Sequence, residues 1–161
     1  MIVVADTGPL IYLSEVGLLH LLRDLYGGVL VPREVYDEVV VHGHGETGAA
    51  DVALASWIQV SVRPSTSSLR LGLLTELDAG EAAAIALAME EGADLILIDE
   101  RKGRKIARLL GLAVRGTLGV LVEAKRREQV GLVRPILAQL SAAGFRVSDA
   151  VKDEILRSAG E

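Results

Sequence analysis

The chain has no cysteine among its 161 residues. Disulfides, thiolate nucleophiles, cysteine-ligated zinc and iron–sulfur clusters are therefore excluded. Aromatic residues are scarce at 3%: Tyr12, Tyr26, Tyr36, Trp57 and Phe145. The core must be aliphatic, and readout of a nucleic acid by base stacking has few side chains to draw on. No run of about 18 apolar residues occurs, so no transmembrane helix is expected. The opening Met1-Ile-Val-Val-Ala-Asp6 has neither a basic start nor a long apolar core. No secretory leader is expected from it, and a cytoplasmic location is. An excess of positive charge is also missing: 17 Lys+Arg stand against 22 Asp+Glu, a net charge of −5. Taken as a total, that charge argues against a nucleic-acid binder.

Half of the residues are hydrophobic, and the mean hydropathy is +0.38. That excludes disorder as the main state, and the length suits one domain over 1–161 with a proper core. Short β-branched runs alternate with helical patterns. Ile2–Ala5, Val29–Val31, Leu95–Ile98 and Leu112–Val114 read as strands, and Trp57–Val62 as an edge strand. Thr7 is placed to N-cap a helix whose leucine stripe, from Leu10 to Leu25, runs to the Gly27-Gly28 stop. Pro32 opens a helix from Arg33 to about Val41, and Ala49–Ala55 is a short one. Asp78 caps a strong alanine-rich helix to Glu91, and Arg101–Leu110 is another. Leu118–Glu128, Leu132–Ala143 and Ser148–Ser158 close the chain, packed as helices on the same core. The segments 43–48 and Arg63–Ser68 read as loops. Short apolar strands separated by helices give βαβ units. The fold class is therefore α/β, a three-layer α/β/α arrangement with a parallel sheet of four to five strands. Ligands of such sheets bind beyond the carboxyl ends of the strands.

Two aspartates end strand runs, Asp6 after Ile2–Ala5 and Asp99 after Leu95–Ile98. If those strands are neighbours, the carboxylates lie within a few ångströms, which is costly unless a cation sits between them. Oxygen ligands without cysteine favour Mg²⁺ or Mn²⁺ over zinc. Helices opening at the same edge add Glu34 and Glu38, which share a face by i,i+4 spacing, and Glu81; Asp37 points elsewhere. Each acid also has a plainer role. Asp6 and Asp99 can cap helices, Asp78 and Glu81 make a capping box, and Glu34 and Glu38 can form a solvated face. Glu100 faces away from Asp99 if the strand persists. His42-Gly-His44-Gly-Glu46 invites a metal reading, but its glycines favour a flexible surface loop. No Gly-x-Gly-x-x-Gly follows a strand, so a dinucleotide fingerprint is absent.

These acids occur within ordered motifs. Val3-Val-Ala-Asp6-Thr7-Gly-Pro-Leu-Ile11 resembles the start of a PIN domain. Val31-Pro-Arg-Glu-Val-Tyr-Asp-Glu38-Val resembles the family's second acidic helix. Leu77-Asp-Ala-Gly-Glu81-Ala-Ala-Ala-Ile resembles its third acidic position, and Leu95-Ile-Leu-Ile-Asp99 its fourth. Gly116-Thr117-Leu-Gly-Val-Leu resembles the turn after the last strand. The match runs in order over about residues 1–125, and looks closest to the toxin-like prokaryotic PIN subfamily related to VapC. The resemblance implies a metal-dependent endoribonuclease, the toxin of a toxin–antitoxin pair. It maps the catalytic acids onto Asp6, Glu38, Glu81 and Asp99, and the Mg²⁺ or Mn²⁺ ligands onto Asp6, Glu81 and Asp99. Thr7 and Thr117 would assist near the substrate. Many relatives carry Asp where this chain has the longer Glu81, which leaves one or two ions open. A homodimer and an antitoxin protein are the implied partners, with no membrane. The alternative is a PIN-like module that binds RNA or protein without catalysis; a third is a metal-dependent phosphatase or nuclease acting on DNA.

Split by position, the charge reads differently. Residues 1–100 hold 4 basic and 16 acidic side chains, and residues 101–161 hold 13 and 6. Arg101, Arg104, Lys105 and Arg108 share a broad helix face that begins beside Asp99. That face either tracks RNA phosphates toward the acids or is a solvated face paired with the acidic half.

Overall fold

The computed structural model describes residues 1–43, 46–62 and 68–161. Five strands form one parallel sheet: β1 Val3–Ala5, β2 Val29–Pro32, β3 Ile58–Ser61, β4 Leu95–Leu97 and β5 Val114–Arg115, in the order β3-β2-β1-β4-β5. The first and fourth strands are neighbours, with Val3, Val4 and Ala5 opposite Leu95, Ile96 and Leu97. Both are fully buried, as their unbroken apolar runs require of strands covered on two faces. Trp57–Val62 contributes the edge strand at one end of the sheet.

Helix α6 (Ala79–Glu90) lies across β1, β2 and β4. Every residue from Gly80 to Ala88 is buried, because alanine lets a helix approach a sheet closely. On the same side run α3 (Arg33–Tyr36), α5 (Ser68–Leu73) and α7 (Arg101–Leu109). The opposite layer holds α1 (Thr7–Glu15), α2 (His20–Tyr26) and α8 (Thr117–Arg126), onto which α9 (Val133–Ala142) and α10 (Asp149–Ser158) pack. Helix α4 (Thr47–Leu54) rests on α1. The result is a three-layer α/β/α fold with an all-parallel sheet. Its core is continuous from Val3 to Ala159 and almost wholly aliphatic.

Several local expectations need correction. The leucine stripe after Asp6 is two helices, not one. Gly17 takes a left-handed φ of 71°, with Leu18 N–H donating to Leu13 O and Gly17 N–H to Ser14 O. That pair of bonds ends a helix without breaking the apolar face. Thr7 is not the cap of α1. Asp6 occupies the N-cap position with no side-chain cap bond, and Thr7 is already helical. The strand expected at Leu112–Val114 begins at Val114, because Leu112 N–H still donates to Ala107 O in closing α7 around Gly111. Helix α5 has no counterpart among the sequence expectations. The loops at 43–48 and Arg63–Ser68, including His44, lie partly outside the described residues.

The chain after α3 continues as a π-helical turn, Asp37–Val41, marked by His42 N–H donating to Asp37 O. Glu34 pairs with Arg70 at 2.5 Å, whereas Glu38 accepts from the Thr7 hydroxyl at 2.9 Å. Among the described residues no helix is long and apolar enough to cross a membrane.

Candidate active site

The acids meet beyond the carboxyl ends of β1 and β4. Asp6 follows β1 directly, and its N–H donates to Leu97 O at 2.9 Å, extending the ladder by one bond. Asp99 follows β4 by two residues. Together with Thr7, Gly8, Tyr12, Glu38, Asp78, Glu81 and Glu100 they line a cleft of about 200 Å³. Four of these acids, Asp6, Glu38, Glu81 and Asp99, are the four that the sequence motifs single out.

Three of these acids are held by different devices. Both oxygens of Asp99 are tied down by Thr117, whose N–H donates to Oδ1 and whose hydroxyl donates to Oδ2, each at 2.7 Å. Thr117 is fully buried, so this hydroxyl is committed to orienting Asp99. The Thr7 hydroxyl donates to Glu38 Oε2 at 2.9 Å, a charge-assisted bond that draws it away from capping. Asp78 does cap α6, accepting from Glu81 N–H at 2.8 Å, and its carboxylate also faces the cleft.

Glycines make room for this crowd. A Cβ on Gly80 would sit 2.8 Å from Glu38 Oε2, 3.6 Å from Asp78 Oδ1 and 3.7 Å from Asp6 Oδ1. Three carboxylates thus crowd round one backbone position. A Cβ on Gly8 or Gly116 would come within 2.9 Å of an Asp99 oxygen. The Gly-Glu and Gly-Thr pairs of the sequence are therefore steric requirements of the site.

Burial and mutual repulsion push these groups toward protonation. Asp6, 5% exposed, is raised to about 7 by desolvation and then by the charges of Asp78, Glu38 and Asp99, against one opposing bond from the Thr7 backbone. Glu81 is raised to about 8, chiefly by desolvation, then by Asp78 and Asp6. Asp99 is raised by desolvation too, but Thr117 and then Arg104 pull it back. A cation in the cleft relieves all three.

The donor set fits a hard divalent ion in chemistry: carboxylate oxygens only, crowded and insufficiently neutralised. Among the described residues, however, no group of three or more His, Asp or Glu side chains is closed around a single ion position. Holding an ion would require these carboxylates to rotate inward.

Sequence reasoning misses two acids here. The capping box explains Asp78 without the cleft, and a continuing strand would turn Glu100 away. The strand stops at Leu97, and Glu100 takes the N-cap conformation of α7 (φ −60°, ψ 129°), which brings it to the cleft. The basic residues of α7 divide. Arg104 is half-buried and faces Asp99, while Arg101, Lys105 and Arg108 are exposed and make no ion pair among the described residues. Lys102 on that helix pairs with Glu76 of the acidic half at 2.8 Å.

A search among curated proteins finds no match. A family model described as PIN domain matches residues 2–161. The chain therefore belongs to the PIN-domain family and carries its nuclease-type fold.

Proposed function

We propose that this PIN domain is a metal-dependent endoribonuclease hydrolysing RNA phosphodiester bonds. The observation that carries the reading is the cleft itself: six carboxyl groups at the end of a parallel sheet, two of them raised to about 7 and 8. Such crowding is costly to fold and is balanced by a bound cation. PIN nucleases generally use divalent ions.

Asp6, Glu81 and Asp99 would hold Mg²⁺ or Mn²⁺, which supplies neutralisation of phosphate charge and a more acidic water. Thr117 fixes Asp99 through both oxygens, so its approach angle is set before anything binds. Glu38, held by Thr7 at one oxygen, accepts the proton of the attacking water. Arg101, Lys105 and Arg108 are exposed on α7, which opens next to Glu100 of the cleft, and there they attract the RNA backbone. The toxin role, its antitoxin and a homodimer are what the resemblance to VapC-related chains implies, and a cytoplasmic setting is what the opening, with neither a basic start nor a long apolar core, and the lack of cysteine suggest.

The test is cleavage of an RNA panel with Mg²⁺ or Mn²⁺ by the wild type and by Asp6→Ala, alongside single-stranded DNA and phosphate monoesters. RNA cleavage lost in the variant and abolished by EDTA supports the reading. Equal activity in both proteins, or none on any RNA, overturns it.

A further inference from the structure

A second cavity, about 540 Å³, opens on the other side of Asp99. It lies between the end of β5, the start of α8 and the segment leading into α10, and its lining includes Arg104, Arg115, Phe145 and Arg146. Asp99 lines both cavities. An aromatic pair also spans them, one ring to each side. Tyr12 lines the acidic cleft, Phe145 lines the second cavity, and their rings meet edge to face with centroids 4.8 Å apart.

The lining is built for an anion with an apolar body. Arg104 Nε is buried and has no hydrogen-bond partner among the described residues. Its guanidinium reaches to 3.4 Å from where a Gly116 Cβ would stand, a point 2.9 Å from Asp99 Oδ1. Arg115 spends one nitrogen on the Tyr26 hydroxyl at 2.9 Å, and Arg146 is exposed with no ion pair among the described residues. Asp99 and Glu154 are the carboxylates in the lining, against three arginines. The volume falls within the ~300–1,000 Å³ of small-ligand cavities.

We infer that this cavity binds the nucleotide next to the scissile bond: Arg104 and Arg146 take its phosphate, and Phe145 packs against its base. The inference rests on the nuclease reading for its role, but not for the binding itself. A strand whose scissile phosphate lies in the acidic cleft has its neighbouring phosphate carried past Asp99 toward Arg104. Arg104 thereby serves both sides, tempering Asp99 and meeting the next phosphate. Arginine suits this, since its planar fork meets phosphate oxygens two at a time.

The experiment is binding without turnover. Wild-type protein in EDTA is titrated with a nucleoside monophosphate, the matching nucleoside, inorganic phosphate, a short single-stranded RNA and an acidic peptide, and backbone amides are followed by NMR. The expected result is that the monophosphate and the RNA shift the amides of 116–119 and 145–148. Arg146→Ala, on an exposed loop, is expected to weaken both by roughly 10- to 100-fold, the range of a charge-assisted hydrogen bond. Phe145→Leu should bring the monophosphate down to the affinity of inorganic phosphate. Inorganic phosphate or the acidic peptide binding as tightly as the monophosphate overturns the inference, as does binding indifferent to Arg146→Ala. No cleavage of any RNA by the wild type with Mg²⁺ or Mn²⁺, with this binding intact, sinks the nuclease reading alone.

Discussion

Asp99 stands between two regions of opposite character. On one side six carboxyl groups share a cleft of about 200 Å³; on the other three arginines line a cavity more than twice as large. The acidic region is unstable in its own charges: Asp6 and Glu81 keep protons to about pH 7 and 8 because burial and neighbours penalise their anions. The basic region has no such conflict, since an arginine does not discharge near neutral pH. A cluster that must change its protonation or gain a cation is a place for chemistry. A cluster that keeps its charge whatever the pH is a place for holding phosphate. The net charge of −5 averages the two and hides both.

The largest expected effect breaks the acidic side. Asp6→Asn keeps the shape and removes the anion, so RNA cleavage should fall about a thousandfold or more, as loss of a reaction-centre group does. The same variant should be more stable without metal at pH 8. The sign follows from the raised pKa. A carboxyl that binds its proton more tightly when folded stabilises the fold at low pH, and that contribution is lost as pH rises from about 4 through about 7. The metal-free wild type should therefore melt several degrees lower at pH 8 than at pH 5, and Mn²⁺ should restore more at pH 8. Thermal melts of both proteins in EDTA and in Mn²⁺ decide it. A wild type equally stable at both pH values, and a variant no better at pH 8, would mean that the repulsion is absent.

Much of this contrast is legible in the sequence. Unbroken apolar runs ending in Asp6 and Asp99 mark two buried parallel strands and the edge where their acids meet. What fails depends on geometry with no signature of its own. The i,i+4 rule groups Glu34 with Glu38, but their partners differ: Glu34 is tied to Arg70, and Glu38 meets Thr7 at the cleft. Strand alternation turns Glu100 away, but the strand ends three residues earlier. The five aromatics look too few and scattered to matter, yet Tyr12 and Phe145, 133 positions apart, meet at the junction of the two cavities. Only the fold brings them together.

A smaller effect is expected at the hinge between the regions. Thr117→Val preserves size and leaves the backbone N–H bond to Asp99 Oδ1 while removing the hydroxyl bond to Oδ2. Asp99 then has one oxygen without its partner in a buried setting, and its pKa rises further. Cleavage should drop about 10- to 100-fold, the usual cost of losing a partner behind a metal ligand. Stability should fall by about 1–3 kcal/mol. Serine at 117 should recover most of the activity, since the hydroxyl returns. Activity unchanged in the valine variant would show that the N–H alone orients Asp99.

The smallest effect belongs to the outer face of α7. Arg101, Lys105 and Arg108 are exposed, so their interaction with a nucleic acid is screened and shared with solvent. Changing all three to Gln should leave folding and the pH dependence of melting unmoved, because no described residue pairs with them. RNA affinity should weaken similarly for every sequence, since phosphates carry no sequence information. The plot of log affinity against log salt should flatten by about 0.7 for each phosphate no longer neutralised, close to 2 if all three engage a single strand. Binding titrations of wild type and triple variant across a salt series measure that slope. An unchanged slope makes this face merely solvated and leaves Arg104 and Arg146 to hold the strand.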